Sequence, residues 1–470
     1  MNALLLVSFC FASAARAAQT MDMSKAPMVG PMRAVRIPAR AEWKLANGLR
    51  VVLVTDRRSP LVSATLSVPG GSAALPAEDA GMADALAELL SDGTATKTSK
   101  QIADAAELFG GSISADAAPD SFLVHASALS DKADAMLSLL SEVIRAPSFP
   151  EAEVSLRRAN MKEELAANRA ESDFLAGVIF YKKAFAGHPY AVTAPTEDSI
   201  ERILRDRVAA AHKRLFTPRG SVLVLVGDLG RSGAESAVQK HFSSWEGGAP
   251  FPDVLPVPAP AAERTVYLFD RPKSSQVSFF LGNPAAREDS PVYFDLLVAN
   301  GVLGGSFSSR LVRDIRETKG YTYRIGSRLE HRLTASVLRI RTPVRTEAAA
   351  AALGAVLGHL QRMRDSAPTA EEVAQAKSYL AGGFARELET QEGVAGAVLH
   401  QIRMRLPADF YDTYVDRLMA VTPDSVRRAA AVFMRPDEMT VVAVGDARQV
   451  KEKLARFSKK PVVSVGVDGD

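Results

Sequence analysis

Cysteine is almost absent from this 470-residue chain; the single example, Cys10, sits in an apolar N-terminal run. Disulfide stapling, thiol catalysis and cysteine-ligated metals are thereby excluded from the body of the protein. An excess of one charge is lacking too. Lys and Arg number 57 against 54 Asp and Glu, a net charge of +3, and no basic patch is interleaved with aromatics. Composition therefore points to neither a nucleic-acid nor a membrane partner. No stretch reaches the roughly 20 consecutive apolar residues that span a bilayer. Histidine is sparse: His125, His188, His212, His241, His331, His359 and His400 all lie more than four residues apart, so no helical His pair exists to bind a metal. P-loop and G-x-S-x-G sequences are missing as well.

What is present is a long, ordinary globular chain, 47% hydrophobic and 24% charged, and at this length two or more domains are expected. The segment ALLLVSFCFASA (3–14), followed by Ala15-Arg16-Ala17, has the apolar core and small-x-small ending of an export signal. Residues 1–17 are therefore expected to be a signal peptide, and the mature protein to be exported and soluble. No Lys or Arg precedes the apolar run, which leaves open a membrane anchor or a misassigned start. Lipidation at Cys10 also stays open, although Phe9 stands where a small residue is usual.

The chain reads as two copies of one plan. Residues 246–263 form a proline-rich linker without periodicity. Before it comes VLVLVGD (222–228), and 218 residues later TVVAVGD (440–446). The same offset relates Asp206 to Asp424, Val208 to Val426, Pro218 to Pro436, Gly227 to Gly445 and Asp228 to Asp446. An internal duplication follows, with domains expected at 40–245 and 264–460. In the first, LRVVLVTD (49–56) and LVSATLSV (61–68) read as strands. A helix over 99–110 is expected to be capped by Ser99, and a hairpin to turn at Pro119-Asp120. Long helices are expected at 130–145 and 151–168. The expected class is α+β: in each domain a mixed, mostly antiparallel sheet with helices on one face.

Two segments carry the functional signal. The first is GMADALAELLSDGT (81–94). Met82, Leu86, Leu89 and Leu90 make an apolar stripe, and Asp84 and Glu88 lie together on the opposite face. By itself this is a solvated acidic face. The second is LGGSFSSRLVRDIRETKGYTYRIGS (303–327). Gly304 and Gly305 read as a flexible turn, a serine among Ser306, Ser308 and Ser309 as the cap of a helix running to Thr318, and Tyr321 as the start of a strand. Arg310, Arg313 and Arg316 would be solvated.

The order NGLRVVL, P-x-x-S-A-T-L, G-G-S, the helix, G-T, G-H-P-Y and V-V-G-D resembles the insulinase, pitrilysin and mitochondrial processing peptidase family over about residues 40–460. That family's helix carries H-x-x-E-H, two zinc-binding His and a Glu general base. Here the His positions fall on Asp84 and Glu88, the base position on Ala87, and the third ligand's position on Glu164. Three carboxylates suit hard cations such as Ca²⁺ or Mg²⁺ better than Zn²⁺. Without a base at 87 the helix cannot take a proton from water. The resemblance thus implies a degenerate zinc site and no metal or other cofactor in this chain. His188, in GHPY (187–190), is expected to be structural.

The second segment matches the family's S-S-R-L…R-E-x-x-G-x-x-Y. The resemblance assigns Arg316 and Tyr323 to binding the substrate backbone and stabilising the oxyanion, and Gly304 and Gly305 to a loop that adjusts as substrate enters. Members built from two related subunits divide these parts between them. The implied function is the non-catalytic subunit of a heterodimeric secreted zinc endopeptidase, half of a clamshell chamber. Its expected partners are a homologous H-x-x-E-H subunit holding the zinc and a peptide or unfolded-protein substrate. The rival is a peptide-binding or scaffold protein of the same fold without peptidase activity.

Overall fold

The computed structural model describes residues 35–249 and 261–470. The expected signal peptide and the proline-rich part of the linker lie outside the described residues. Each half builds a six-stranded mixed sheet. In the first half the strands are β1 (Arg40–Lys44), β2 (Arg50–Thr55), β3 (Leu61–Pro69), β4 (Ser112–Ala118), β5 (Ser121–Leu129) and β6 (Val222–Gly227), in spatial order β1-β2-β6-β3-β5-β4. In the second they are β7 (Thr265–Asp270), β8 (Gln276–Ala285), β9 (Gly326–His331), β10 (Ser336–Arg345), β11 (Thr440–Gly445) and β12 (Val463–Ser464), in order β12-β7-β11-β8-β10-β9.

The duplication extends to register. β6 and β11 are 218 residues apart, as are the preceding helices Arg205–Leu215 and Pro423–Phe433. Both strands run parallel to the first core strand of their half, pairing Arg50 with Val222 and Thr265 with Thr440. Both run antiparallel to the next, β3 or β8. The halves differ at the edge, where β1 is antiparallel to β2 and β12 parallel to β7. Strands β2 and β3, neighbours in sequence, never pair, because β6 returns from far along the chain to lie between them. The expected hairpin forms, β4 against β5 across Pro119-Asp120.

Every residue of β6 and β11 is buried, which requires cover on both faces of the sheet. One face of the first sheet packs on its own half's helices: Leu223 and Leu225 join Leu86, Leu137 and Val238. The other face receives a helix from the second half. Val52, Val54, Val222, Val224 and Val226 pack against Val394, Val398 and Leu399 of the helix Gln391–Arg403. The exchange is reciprocal, with Leu175, Ile179 and Phe180 of the helix Ser172–Ala184 packing on Phe280, Val442 and Val444 of the second sheet. Gly282 makes this contact possible. A Cβ there would fall 2.3 Å from the Leu338 carbonyl oxygen and 2.6 Å from the Phe180 ring. Each buried aromatic or aliphatic side chain is worth about 1.5–3 kcal/mol, so the exchanged helices bind the halves firmly together.

Local starts and stops follow the chemistry of the ends. The 99–110 helix is Ser99–Leu108, capped by Thr98 rather than Ser99; Thr98 and Gln101 form a reciprocal capping box. The later helices are Ala133–Arg145, entered by a short turn over Ser130–Lys132, and Glu151–Arg169.

Candidate functional site

The helix Met82–Leu89 starts at Gly81 in the left-handed region, φ 86°. Its stripe of Met82, Leu86 and Leu89 is fully buried, and Asp84 and Glu88 are exposed. Ala87, at the position of the family's base, is buried with the core of the first half, so the place of a catalytic carboxylate is taken by packing.

The decisive residue is one the sequence did not bring forward. Arg157, on Glu151–Arg169, reaches the acidic face with its side chain only 12% exposed. Its guanidinium lies 2.8 Å from Glu88 Oε1, 3.0 Å from Glu164 Oε1 and 3.4 Å from Glu164 Oε2. The helices therefore do bring the acidic positions together, but around an internal guanidinium. Desolvation raises the Asp84 and Glu88 carboxyls above their ordinary range; Arg157 opposes the shift and the neighbouring Glu164 charge adds to it. Zinc does not fit this donor set. The imidazoles are replaced by carboxylates, and both glutamates are engaged by a fixed cation. Among the described residues no group of three or more His, Cys, Asp or Glu is placed to hold a metal ion.

The Arg316/Tyr323 pair is assembled. Arg316 sits in a π-helical segment, Val312–Thr318, where Lys319 N–H donates to the Asp314 carbonyl at 2.9 Å. Such wide turns recur at functional sites. The Arg316 guanidinium lies 5.0 Å from the Phe307 ring centre and 5.1 Å from that of Tyr323, between two aromatics, and 3.1 Å from Glu317. Phe307 is 68% and Tyr323 87% exposed. The neighbouring Arg324 pairs at 3.1 Å with Asp173, which Arg341 also holds at 2.7 Å. This anchors the tyrosine segment to the helix Ser172–Ala184 of the first half.

Four expectations for this segment change. Gly304 and Gly305 are not a flexible turn but the end of a packed π-helical segment, Gly301–Gly305. A Cβ on Gly304 would come within 2.7 Å of Ser327 N and 2.8 Å of Leu311 Cδ1, and one on Gly305 within 2.6 Å of Asn300 Nδ2. The glycines permit close packing. No serine side chain caps the following helix, whose flanking residue is Leu311, and the next strand starts at Gly326 rather than Tyr321. Arg310 is also no solvated arginine. It makes a bidentate pair with Glu372, at 2.7 and 2.8 Å, and both side chains are 15% exposed. The pair holds the Glu372 carboxyl down at about 2. Nothing near Arg310 in sequence points to Glu372; only the capping box Thr369–Glu372 was available as a local signal. His188 is buried and caps a turn, its Nδ1 accepting from Tyr190 N–H at 3.0 Å.

The chain is thus a pair of mixed six-stranded sheets related by duplication, with the helix Met82–Leu89 in the first half and the Arg316/Tyr323 segment in the second. Comparison with known proteins agrees. The family described as Insulinase (Peptidase family M16) matches residues 50–193, and Peptidase M16 inactive domain matches residues 202–380. The chain belongs to peptidase family M16. It is 26% identical over 288 residues to the uncharacterized zinc protease YmxG of Bacillus subtilis, covering 60% of this chain and 68% of that one. It is 22% identical over 409 residues to a Helicobacter pylori protein named Non-peptidase homolog YmxG, covering 85% and 93%. Among solved structures, a peptidase M16 inactive domain from Pseudomonas fluorescens superposes with a TM-score of 0.81 at 26% identity, covering 87% of this chain and 98% of that one.

Proposed function

We propose that this chain is the non-catalytic subunit of an exported zinc endopeptidase made of two homologous subunits. The partner carries H-x-x-E-H, the zinc and the general base. This chain contributes Arg316 and Tyr323, which hold the peptide backbone and the developing oxyanion across the shared chamber. The observation that carries the reading is the Phe307–Arg316–Tyr323 stack. A guanidinium is held between two aromatic rings that are largely left to solvent. Exposed aromatics around an ordered cation bring no folding benefit that burial would not exceed, and they suit a surface completed by something outside the chain. The ion pairs around Arg157 support the other half of the reading, that this chain holds no zinc of its own. The Helicobacter relative's name, Non-peptidase homolog, points the same way.

The test is purification of the tagged chain from its native organism, with its companions identified and counted. A one-to-one H-x-x-E-H companion whose proteolysis requires this chain supports the proposal. Recovery of this chain alone, or only with itself, overturns it and favours the peptide-binding scaffold.

A further inference from the structure

A cavity of about 100 Å³ lies where the two halves meet. Its walls include Pro69, Asp120 and Ser121 from the first half, and Leu333, Arg403 and Arg405 from the second. None of these residues belongs to the Arg157 cluster or the Arg316 stack. The volume suits a group the size of a few waters, not a peptide.

Two wall groups have unmet hydrogen-bonding capacity. Ser121 is 1% exposed, and its Oγ has no hydrogen-bond partner among the described residues. Arg403, the last residue of Gln391–Arg403, is half-buried. Among the described residues its guanidinium makes no hydrogen bond or ion pair, and its electrostatic neighbours are Asp120 and Tyr190. Asp120 is already committed: its Oδ1 accepts from the Tyr190 hydroxyl and its Oδ2 from Leu333 N–H at 3.0 Å. Burial pushes the Arg403 guanidinium down, with Asp120 and Tyr190 opposing. A half-buried cation with no direct hydrogen bond and a buried hydroxyl with none both have donors to spare, and here they share a cavity.

The helix end keeps arginines at this wall against backbone preference. Leu406 N–H donates to the Gln401 carbonyl and Arg405 N–H to that of Ile402, a Schellman closure. The left-handed position, usually glycine, holds Arg405 at φ 55°.

We propose that this cavity between the halves binds a small tetrahedral oxyanion, phosphate or sulfate. The Arg403 fork and the Ser121 hydroxyl donate to its oxygens, meeting both unmet groups at once. An anion seated there touches both halves and stabilises their pairing by mass action.

The experiment is thermal unfolding and calorimetric titration of the full mature chain with sodium phosphate or sulfate, against sodium chloride at matched ionic strength. The wild type should show a phosphate-dependent rise in Tm that chloride does not reproduce. Arg403→Gln should abolish the response, and Ser121→Ala should weaken binding about tenfold, the effect of losing one hydrogen bond to a charged ligand. If Arg403→Gln does not fold, Ser121→Ala decides. A wild-type response equal to that of chloride, or an unchanged affinity in the Ser121→Ala or the folded Arg403→Gln variant, overturns the proposal and leaves the cavity to water.

Discussion

The acidic face of Met82–Leu89 and the arginine segment Val312–Thr318 are the two places where this fold presents peptidase-like surface, and they are treated in opposite ways. On the first, the charges are closed within the chain: Arg157 spans Glu88 and Glu164, and Ala87 is part of the core. On the second, the key side chains stay open. Arg316 is ordered between Phe307 and Tyr323, and both rings face solvent. On the proposed reading the first surface is retired and the second still in use.

The sharpest way to break this contrast is Arg316→Ala in the two-subunit complex proposed above, once reconstituted. Without a guanidinium to meet the oxyanion, kcat/KM should fall about 10²–10³-fold while the subunits still co-elute. Full activity would place the segment on the same footing as the retired one. Next in size is the support beneath it. Arg310→Ala should cost about 2 kcal/mol in urea unfolding at pH 7, since it removes a bidentate and largely buried pair. The pH sign follows from the depressed Glu372 carboxyl. Its contribution is complete above 4.5, the ordinary value, and is lost as pH falls toward about 2. Glu372→Gln should flatten that acid limb.

Arg157→Met probes the retired face. Because Glu88 and Glu164 are about half exposed, the cost should be only about 1 kcal/mol at pH 7. It should shrink in acid as Glu88 protonates, and turnover of the proposed complex should not change. A tenfold loss of turnover would mean that this face still acts. The smallest effect is expected from Asp84→Asn. The folded carboxyl sits above its ordinary 3.8, so the folded state binds the proton more tightly. Stability from this group therefore falls as pH rises from 3.8 through the raised value. Removing the charge should stabilise by a few tenths of a kcal/mol at neutral pH and reduce that slope.

Much of this could be read in the residues. The matched Pro218/Pro436 and Gly227/Gly445 positions announced the repeat that the sheets share. The Arg316/Tyr323 spacing was visible too, because the residues that bring these two together lie in one short segment. Arg157 was not, since it looks like any surface arginine of a long polar helix until that helix packs beside Met82–Leu89. The glycine pair was misread because glycine signals freedom and close approach alike, and only the neighbours Ser327, Leu311 and Asn300 decide between them.

By itself, then, the sequence determined the duplicated plan, several strands and the β4–β5 hairpin, which depend on residue type and short spacing. The family resemblance added the comparison at Asp84, Ala87, Glu88 and Glu164 and the Arg316/Tyr323 spacing. The tertiary structure decided that β6 enters between β2 and β3, that each half covers the other's sheet with a helix, and that the Arg157 guanidinium joins Glu88 and Glu164. Those outcomes depend on which distant surfaces meet, and burial and charge pairing select among them only once the chain has folded.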